Sequence, residues 1–212
     1  MRIAILGTGD VGRHLALGLT RHGHAVTVGT RDPSGTSAKE FAKRAPGIAL
    51  ATFADAAREA ELAIVATKWD GTKSALTLAG SANLAGKVVI DAVNPLTLTA
   101  AGPALALGFT TSAGEQIQSW LPDAKVVKAF NIVTATHMVD PELTGGPPDM
   151  FFCGDDPAAK ATVDALLRSI GWHPIDIGGL TGARLLEPLA MLWITHGIRS
   201  GTWTHAFKLL HP

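Results

Sequence analysis

The sequence predicts an α/β protein, a doubly wound sheet of parallel strands with a small α/β extension at the C-terminal end. Two observations carry this prediction. Short apolar runs alternate with helical stretches along most of the 212 residues, which is the pattern of a parallel sheet with right-handed crossovers. The first run, Arg2–Leu6, is apolar after its first residue and leads straight into a glycine-rich turn and a helix, as expected of a strand buried on both faces.

Each predicted helix and strand follows from a local pattern in the sequence. The first helix carries Leu15, Leu17 and Leu19 and stops at Gly23, and the strands are short apolar runs bounded by glycine, proline or polar residues. The predicted strands are Arg2–Leu6, Ala25–Val28, Ile48–Thr52, Leu62–Ala66, Lys87–Ile90, Ala124–Phe130, Met150–Cys153 and His173–Ile177. The predicted helices are Val11–His22, Ser37–Arg44, Phe53–Glu59, Thr72–Leu78, Gly114–Trp120, Pro157–Ile170 and Gly182–Ile198, with Thr202–Leu210 behind the last.

A loop-rich stretch divides the chain. Pro141, Gly145, Gly146, Pro147 and Pro148 lie close together, and such residues favour turns over regular structure. The boundary is therefore predicted near residue 140, with a larger domain over residues 1–140 and a small C-terminal domain over residues 141–212. The second part has about 70 residues and would be marginal alone, so it is expected to pack on the first.

Composition excludes several classes of protein. Hydrophobic residues make up 47% of the chain and charged residues 17%, against about 25% charged in ordinary domains, so a large core is expected and intrinsic disorder is excluded. Lys and Arg together number 18, as do Asp and Glu. Without a basic excess, neither nucleic acid nor an anionic membrane is an expected partner.

The single cysteine, Cys153, excludes an internal disulfide and a cysteine-based metal site. Its neighbours Phe151 and Phe152 predict a buried strand position. A strand begins directly after Met1 and leaves no room for a signal peptide, and no run of about 18 uncharged apolar residues would span a membrane. We expect a cytoplasmic protein.

The glycine-rich turn matches the pattern G-x-G-x-x-G. Gly7-Thr8-Gly9-Asp10-Val11-Gly12 follows a strand and opens a helix, which is the context that a dinucleotide-binding fingerprint requires. The first glycine allows the tight turn, the second lets a pyrophosphate approach the backbone, and the third lets helix and strand pack closely. We expect the backbone of Asp10, rather than its carboxylate, to face the ligand. Residues 1–140 are thus predicted to form a Rossmann-type domain.

The tip of the second strand indicates which dinucleotide binds. An NAD enzyme places an acidic residue there to hold the ribose 2′-hydroxyl, whereas this chain has Thr30 and Arg31. A hydroxyl and a guanidinium suit a 2′-phosphate, so NADP is favoured over NAD. Asp32 is the counter-indication, either as a displaced NAD-type carboxylate or as a helix cap.

Later strand ends supply further candidate walls, because ligands bind at the carboxyl edge of such sheets. Thr67, Lys68 and Trp69 follow one strand. Asn94 and Pro95 follow the next strand, and Asn131 follows a third. These residues are expected around the ribose and nicotinamide.

Other chemistry is not indicated. None of the eight histidines has metal-ligand spacing to cysteine or carboxylates, so no metal site is expected. No acid–base constellation is evident either, and no catalytic residue is predicted. His137 could face the pocket, although a solvated or core histidine is the simpler interpretation.

The chain resembles the NADP oxidoreductases that depend on coenzyme F420, an 8-hydroxy-5-deazaflavin. The resemblance covers nearly the whole chain. It is carried by Gly7-Thr8-Gly9-Asp10-Val11-Gly12, Gly29-Thr30-Arg31, Asp91-Ala92-Val93-Asn94-Pro95-Leu96, Gly114-Glu115-Gln116, Val126-Val127-Lys128-Ala129-Phe130-Asn131 and Arg184-Leu185-Leu186-Glu187-Pro188-Leu189.

The resemblance implies a Rossmann domain with a small C-terminal domain, usually in a homodimer. It implies that Thr8–Val11 cradle the pyrophosphate, that Thr30 and Arg31 hold the 2′-phosphate, and that Trp69 lies near the nicotinamide. Family members often carry proline before that tryptophan, where this chain has Lys68.

The favoured function is reversible hydride transfer between NADPH and the deazaflavin coenzyme F420. Such a transfer needs alignment of two rings more than a general acid or base. One alternative is an NADPH-dependent reductase of a flavin or of a small imine or carbonyl substrate. An imine or carbonyl substrate would need a proton donor, and Lys68 or His137 would be the first candidates. A second alternative is a non-catalytic, redox-sensing dinucleotide-binding module. The region from Gly178 to Ile198, with Gly179 and Leu186, is expected to form the acceptor-site wall.

Overall fold

The computed structural model describes residues 1–210 and contains a sheet of eight strands flanked by helices. The strands are β1 Arg2–Leu6, β2 Ala25–Thr30, β3 Ala49–Thr52, β4 Leu62–Val65, β5 Val88–Asp91, β6 Leu96–Thr99, β7 Gly102–Leu105, β8 Lys125–Lys128, β9 Asp149–Gly154 and β10 His173–Asp176. The helices are α1 Asp10–Arg21, α2 Thr36–Arg44, α3 Phe53–Glu59, α4 Trp69–Ala79, α5 Ser81–Leu84, α6 Ala113–Trp120, α7 Pro157–Ser169 and α8 Ala183–Ser200.

The order of the strands creates a crevice at one edge of the sheet. The order is β10-β9-β8-β5-β4-β1-β2-β3, so the chain leaves β1 in one direction and returns to its other side with β4. In the parallel ladders Leu6 pairs with Gly29 on one side and with Val65 on the other. The carboxyl ends of β1, β2 and β4 therefore meet where the winding reverses, which is the place where doubly wound sheets bind ligands.

The central strands are buried because helices cover both faces of the sheet. In β1, Ile3 and Ile5 pack with the side chains of Leu15 and Leu19 from α1 in one cluster. The alternate residues of β1, Ala4 and Leu6, belong to a second cluster on the opposite face. The predicted Rossmann-type α/β fold is confirmed.

The C-terminal part continues this sheet. Strand β9 pairs with β8 in the antiparallel direction, and β10 pairs with β9 in parallel. Met150 and Phe152 of β9 lie in the same apolar cluster as the first helix. The division into two domains near residue 140 stays a prediction.

Three local features depart from the predicted elements. The hairpin of β6 and β7 and the short helix α5 were not predicted, although Leu96-Thr97-Leu98-Thr99 alternates as a half-exposed strand does. Residues Thr202–Leu210 follow α8 without regular secondary structure. No helix within residues 1–210 is long and apolar enough to cross a membrane.

Candidate functional site

A cleft runs across the carboxyl ends of the central strands. It consists of two adjoining cavities of about 540 and 360 Å³, which share Val11, Ala66, Thr67 and Lys68. The first is also lined by Gly7, Thr8, Gly9, Asp10, Thr30, Arg31, Ser37, Phe53, Gly71 and Ala75. The second is also lined by Trp69, Asp70, Ala92, Val93, Asn94 and Leu96. Both volumes are typical of small-molecule sites.

The three glycines of the G-x-G-x-x-G motif differ in why glycine is needed at each position. Gly7 has φ +134°, and a Cβ there would lie 2.5 Å from the carbonyl oxygen of Ala66. A Cβ on Gly12 would lie 2.1 Å from the carbonyl oxygen of Gly7. Gly9, by contrast, has an ordinary extended backbone, and a Cβ would meet nothing within 4 Å. The fold requires Gly7 and Gly12, whereas Gly9 leaves open space in the cleft, which is the cradle that a pyrophosphate needs.

The start of helix α1 presents free donors to this space. Gly9 is its N-cap residue, and no side chain caps the first turn. The first N–H groups of a helix have no partner inside it, and together with the helix dipole they favour an anion. The 12-residue helix therefore points its positive end at the open space beside Gly9.

Asp10 is an unexpected residue in an anion site, and ion pairs explain how it is tolerated. Its carboxylate pairs with Arg44 at the end of α2 and lies 3.5 Å from the Arg13 guanidinium. Hydrogen bonding from Arg44 outweighs the small effect of burial and holds the pKa of Asp10 below its usual range. The carboxylate stays ionised, and two neighbouring guanidinium groups offset its charge.

The first cavity ends at a group of donors suited to a phosphate. Thr30 and Arg31 line it at the end of β2, and Ser37 joins them from the first turn of α2. Arg31 is exposed and forms no ion pair with any carboxylate among residues 1–210. The sequence interpretation missed Ser37. Its position in the first helical turn after β2 was the available signal, because that turn returns to the same edge of the sheet.

Asp32, the counter-indication to NADP, is engaged elsewhere. Its Oδ1 accepts hydrogen bonds from the backbone N–H and the hydroxyl of Ser34, at 2.8 and 2.7 Å. These bonds lower the pKa of Asp32. Asp32 therefore shapes the turn before α2, whose N-cap is Gly35, and it does not line the cleft.

The second cavity has an aromatic wall and an amide wall. Trp69 stacks on Trp120 with ring centres 5.6 Å apart and planes 21° apart. The Thr67 hydroxyl lies 2.9 Å from that of the buried Thr72. Lys68 is exposed at the N-cap of α4, and Asn94 faces the cavity from the end of β5. Because the two cavities adjoin, these walls continue the open space beside Gly9.

Three of the predicted site residues do not line the cleft. Gly12 packs beneath Gly7. Pro95 is buried and turns the chain into the hairpin, with its carbonyl accepting from the Ala106 N–H. Asn131 is 3% exposed and lies behind Asn94, to which its amide donates at 3.0 Å.

A buried charged trio, which the sequence interpretation missed, lies behind the second cavity. The Lys128 ammonium is 2.9 Å from a carboxylate oxygen of Asp91 and 2.9 Å from one of Glu187. All three side chains are at most 1% exposed. Burial would lower the pKa of Lys128, but attraction to the two carboxylates outweighs it and raises the pKa; burial raises the pKa of Glu187.

The expected acceptor wall needs a correction at Leu186. This side chain is 2% exposed and packs with Cys153 and Ala183 in the core, so it cannot line a wall. Gly179 faces Asp155, because a Cβ would lie 2.9 Å from that carboxylate. The neighbouring face of the same segment does line a cavity of about 870 Å³, formed by Leu105, Ala106, Leu107, Gly108, Phe109, Thr181, Arg184, Leu185 and Pro188.

Two further predicted residues have clear positions. Cys153 is fully buried in β9, as predicted, and burial raises the pKa of its thiol to about 12, so it is not a reactive thiolate. His137 lies in a short 3-10 turn that packs against α1, and it lines neither cavity of the cleft.

Comparisons with known proteins identify the family of this chain. Residues 2–95 match the family described as NADP oxidoreductase, coenzyme F420-dependent. The F420-dependent NADP reductase of Methanothermobacter marburgensis is 34% identical over an alignment of 213 positions, gaps included. The alignment covers 94% of each chain. The chain belongs to this family. The prediction of an NADP-dependent oxidoreductase is confirmed at that level, and the family takes its name from NADP and coenzyme F420.

Two more relatives place this family member in context. A crystal structure of a candidate F420-dependent NADP reductase from Arthrobacter sp. FB24 has 45% identity, full coverage of both chains and a TM-score of 0.94. Metalloreductase STEAP3 of Rattus norvegicus is 35% identical over 198 residues, or 90% of this chain. The chain spans only 37% of the length of that metalloreductase.

Proposed function

We propose that this chain transfers a hydride reversibly between NADP(H) and the deazaflavin coenzyme F420. The observation that carries the proposal is the open space at Gly9, flanked by a free helix N-terminus, with Thr30, Arg31 and Ser37 at the adenosine end. This arrangement fits a pyrophosphate followed by a 2′-phosphate. The relationship to F420-dependent NADP reductases supports the deazaflavin as the second substrate.

The residues of the cleft then have separate tasks. Thr8, Gly9, Asp10 and Val11 offer backbone N–H groups to the pyrophosphate. Thr67, Lys68, Trp69 and Asn94 surround the nicotinamide. When bound, NADPH would supply a hydride from its C4–H bond, and the deazaflavin would accept it as a new C–H bond at C5 and take a proton from solvent at N1. The protein contributes alignment of the two rings, and proximity alone can supply several kcal/mol.

The direct test mixes the protein with NADPH and purified deazaflavin. Loss of the visible absorbance of the deazaflavin, with stoichiometric oxidation of NADPH, is the expected result. The same protein with FMN, FAD and a cyclic imine in place of the deazaflavin forms the control series. Oxidation of NADPH by one of these acceptors, and none by the deazaflavin, would contradict the proposal.

A second candidate is an NADPH-dependent reductase of a flavin. It is favoured by the exposed Lys68 beside Trp69, a cation that could attract an anionic flavin phosphate. The control series above separates the two candidates, because a flavin reductase oxidises NADPH with FMN or FAD. A non-catalytic module would bind NADPH and oxidise it with none of these acceptors.

Hydride transfer to the deazaflavin is expected to proceed without proton transfer from the His137 side chain. The His137→Ala variant should keep most of the single-turnover rate, because the imidazole lies outside the cleft and no alkoxide forms in the transfer. Stopped-flow measurement of deazaflavin reduction checks this. A rate lower by about 10²–10⁴-fold, as for a lost general acid, would indicate a carbonyl or imine reductase.

We further propose a homodimer in which α8 and the neighbouring hairpin meet their copies. Leu185 and Leu192 are 70% and 60% exposed and lie two turns apart on α8, and Phe109, which lines the same cavity as Leu185, is 98% exposed. Such neighbouring apolar groups are typical of interfaces. Leu192→Glu should yield a monomer by light scattering, whereas Leu78→Glu, an equally apolar exposed site on α4, should leave the mass unchanged. A wild-type monomer would exclude the homodimer.

The boundary near residue 140 and a cytoplasmic location are part of the same proposal. Residues 1–140 contain all of the expected NADP contacts. The later residues would serve the acceptor side and the interface between copies.

A further inference from the structure

We propose that Asp91, Lys128, Asn131 and Glu187 are positioning residues, which set the geometry of the nicotinamide end by tying the loop Ala92–Asn94 to helix α8. None of the four lines either cavity of the cleft, whereas Ala92, Val93 and Asn94 all line the second. The inference rests on the proposed function in one respect, that the nicotinamide of NADP(H) occupies this cavity.

Two members of the charged trio, Asp91 and Lys128, bind both polar groups of the Val93 backbone. The Asp91 carboxylate accepts from the Val93 N–H at 2.8 Å, and the Lys128 ammonium donates to the Val93 carbonyl at 2.5 Å. Asp91 and Lys128 end the neighbouring strands β5 and β8 and are paired in register. The loop therefore leaves the sheet edge with both polar groups of its middle residue restrained.

Glu187 connects this restraint to two helices. One of its carboxylate oxygens contacts the Lys128 ammonium at 2.9 Å. Its oxygens also accept from the Ala113 and Gly114 N–H groups at the start of α6, at 3.1 and 3.3 Å. All of these contacts are donors, so the carboxylate form of Glu187 satisfies them, and the positive end of α6 offsets the second buried negative charge.

Asn131 makes a second, uncharged connection to α8, at the residue before Glu187. Its side-chain amide donates to the Leu186 carbonyl at 2.8 Å and to the Asn94 side chain at 3.0 Å. The Asn94 amide in turn donates to the Asn131 carbonyl at 2.7 Å. The amide that faces the nicotinamide end is thus held in one orientation by α8.

Both connections join helix α8 to the loop Ala92–Asn94. This repetition indicates that they align the nicotinamide end of the cleft and do not serve stability alone. Successive residues of α8, Leu186 and Glu187, connect through Asn131 and Lys128 to successive residues of the loop, Asn94 and Val93. A buried ion cluster contributes little net stability compared with apolar side chains. A displacement of about 1 Å at a reacting ring can, however, cost about 100-fold in rate.

The test compares two ligands that differ at the nicotinamide end. NADPH reaches the second cavity, whereas 2′,5′-ADP carries only the adenosine end and its phosphates. In an uncharged triple variant, Asp91→Asn with Lys128→Met and Glu187→Gln, the Kd of 2′,5′-ADP should stay within about twofold. The Kd of NADPH should rise about 10-fold, as expected when hydrogen bonds that align the ring are lost. The single variant Asn131→Leu should shift the same ratio in the same direction.

A matched control separates alignment from general loosening of the fold. Asp149 is buried and pairs with His173 at 2.7 Å, and it lines neither cavity of the cleft. Asp149→Asn should lower the melting temperature and leave the ratio of the two Kd values unchanged. The proposal would be overturned if Asp149→Asn shifted the ratio of the two Kd values. It would also be overturned if the triple variant and Asn131→Leu weakened NADPH and 2′,5′-ADP equally.

The remaining outcomes are also decisive. If the triple variant does not fold, Asn131→Leu carries the test, because it leaves the charged trio intact; an unchanged ratio in that variant refutes the proposal. These binding measurements need no hydride acceptor. A wild-type protein that fails to reduce the deazaflavin thus contradicts the proposed function, whereas equal wild-type Kd values for NADPH and 2′,5′-ADP contradict the positioning role.

Discussion

Replacing Gly9 by serine is expected to weaken NADPH binding by about 100-fold while the fold keeps its stability. The backbone at Gly9 is extended in the ordinary way, and a Cβ meets no protein atom within 4 Å. Serine is moreover a favourable N-cap residue, so its hydroxyl can accept from the N–H groups that open α1. The side chain then occupies the space and the donors that the pyrophosphate needs. Charge-assisted hydrogen bonds contribute about 1.5–3 kcal/mol each, and 1.4 kcal/mol is about tenfold in affinity.

Fluorescence titration with NADPH and thermal unfolding check the two halves of this expectation. Gly108→Ser is the matched control, because a Cβ at Gly108 also meets nothing within 4 Å but lies outside the cleft. Gly12→Ala, unlike Gly9→Ser, should destabilise the fold. Its Cβ would clash with the Gly7 carbonyl, so the free energy of unfolding should fall. Normal NADPH affinity in a folded Gly9→Ser protein would show that the pyrophosphate binds elsewhere.

Replacing Arg31 by alanine is expected to weaken NADPH binding by about 10–100-fold and to leave NADH binding nearly unchanged. The guanidinium lines the first cavity and forms no ion pair within residues 1–210, so it is available to a 2′-phosphate. Loss of charge-assisted hydrogen bonds of about 1.5–3 kcal/mol accounts for the size of the effect. NADH lacks the phosphate and therefore loses nothing.

Isothermal titration with both dinucleotides measures this selectivity. Arg168→Ala, on the exposed side of α7 where Arg168 pairs with Asp164, is the control for removal of a surface arginine. Ser37→Ala should weaken NADPH by a smaller factor in the same direction, because a neutral hydrogen bond contributes less. Equal losses for NADPH and NADH in Arg31→Ala would refute the assignment of this end of the cleft to a 2′-phosphate.

The order of strands and helices could be predicted because it depends on neighbouring residues. The apolar run Arg2–Leu6, the turn that follows it and the helix behind it are encoded within about 20 consecutive positions. The residues at the tip of β2 indicated NADP for the same reason, since a short parallel strand places its next residues at the sheet edge. The hairpin of β6 and β7 was missed, although its alternation of apolar and polar residues is just as local.

Tertiary structure decided what each of these residues does. Gly7, Gly9 and Gly12 look equivalent in the pattern, but only the approach of Ala66 and of the Gly7 carbonyl shows which of them the fold itself requires. Leu185 and Leu186 are adjacent and equally apolar, yet one is 70% and the other 2% exposed, because the packing of α8 on β9 selects one face of the helix.

The amino-acid sequence by itself determined a doubly wound sheet with a dinucleotide-binding edge and an NADP-type strand tip. The connection between that edge and α8 belongs to the tertiary structure alone. Lys128 lies 37 residues from Asp91, and Glu187 lies 74 residues from the Ala113 N–H that it accepts. A buried lysine and a buried glutamate have no local signature, because charged residues are usually exposed. Only the folded chain brings opposite charges together and makes their burial tolerable.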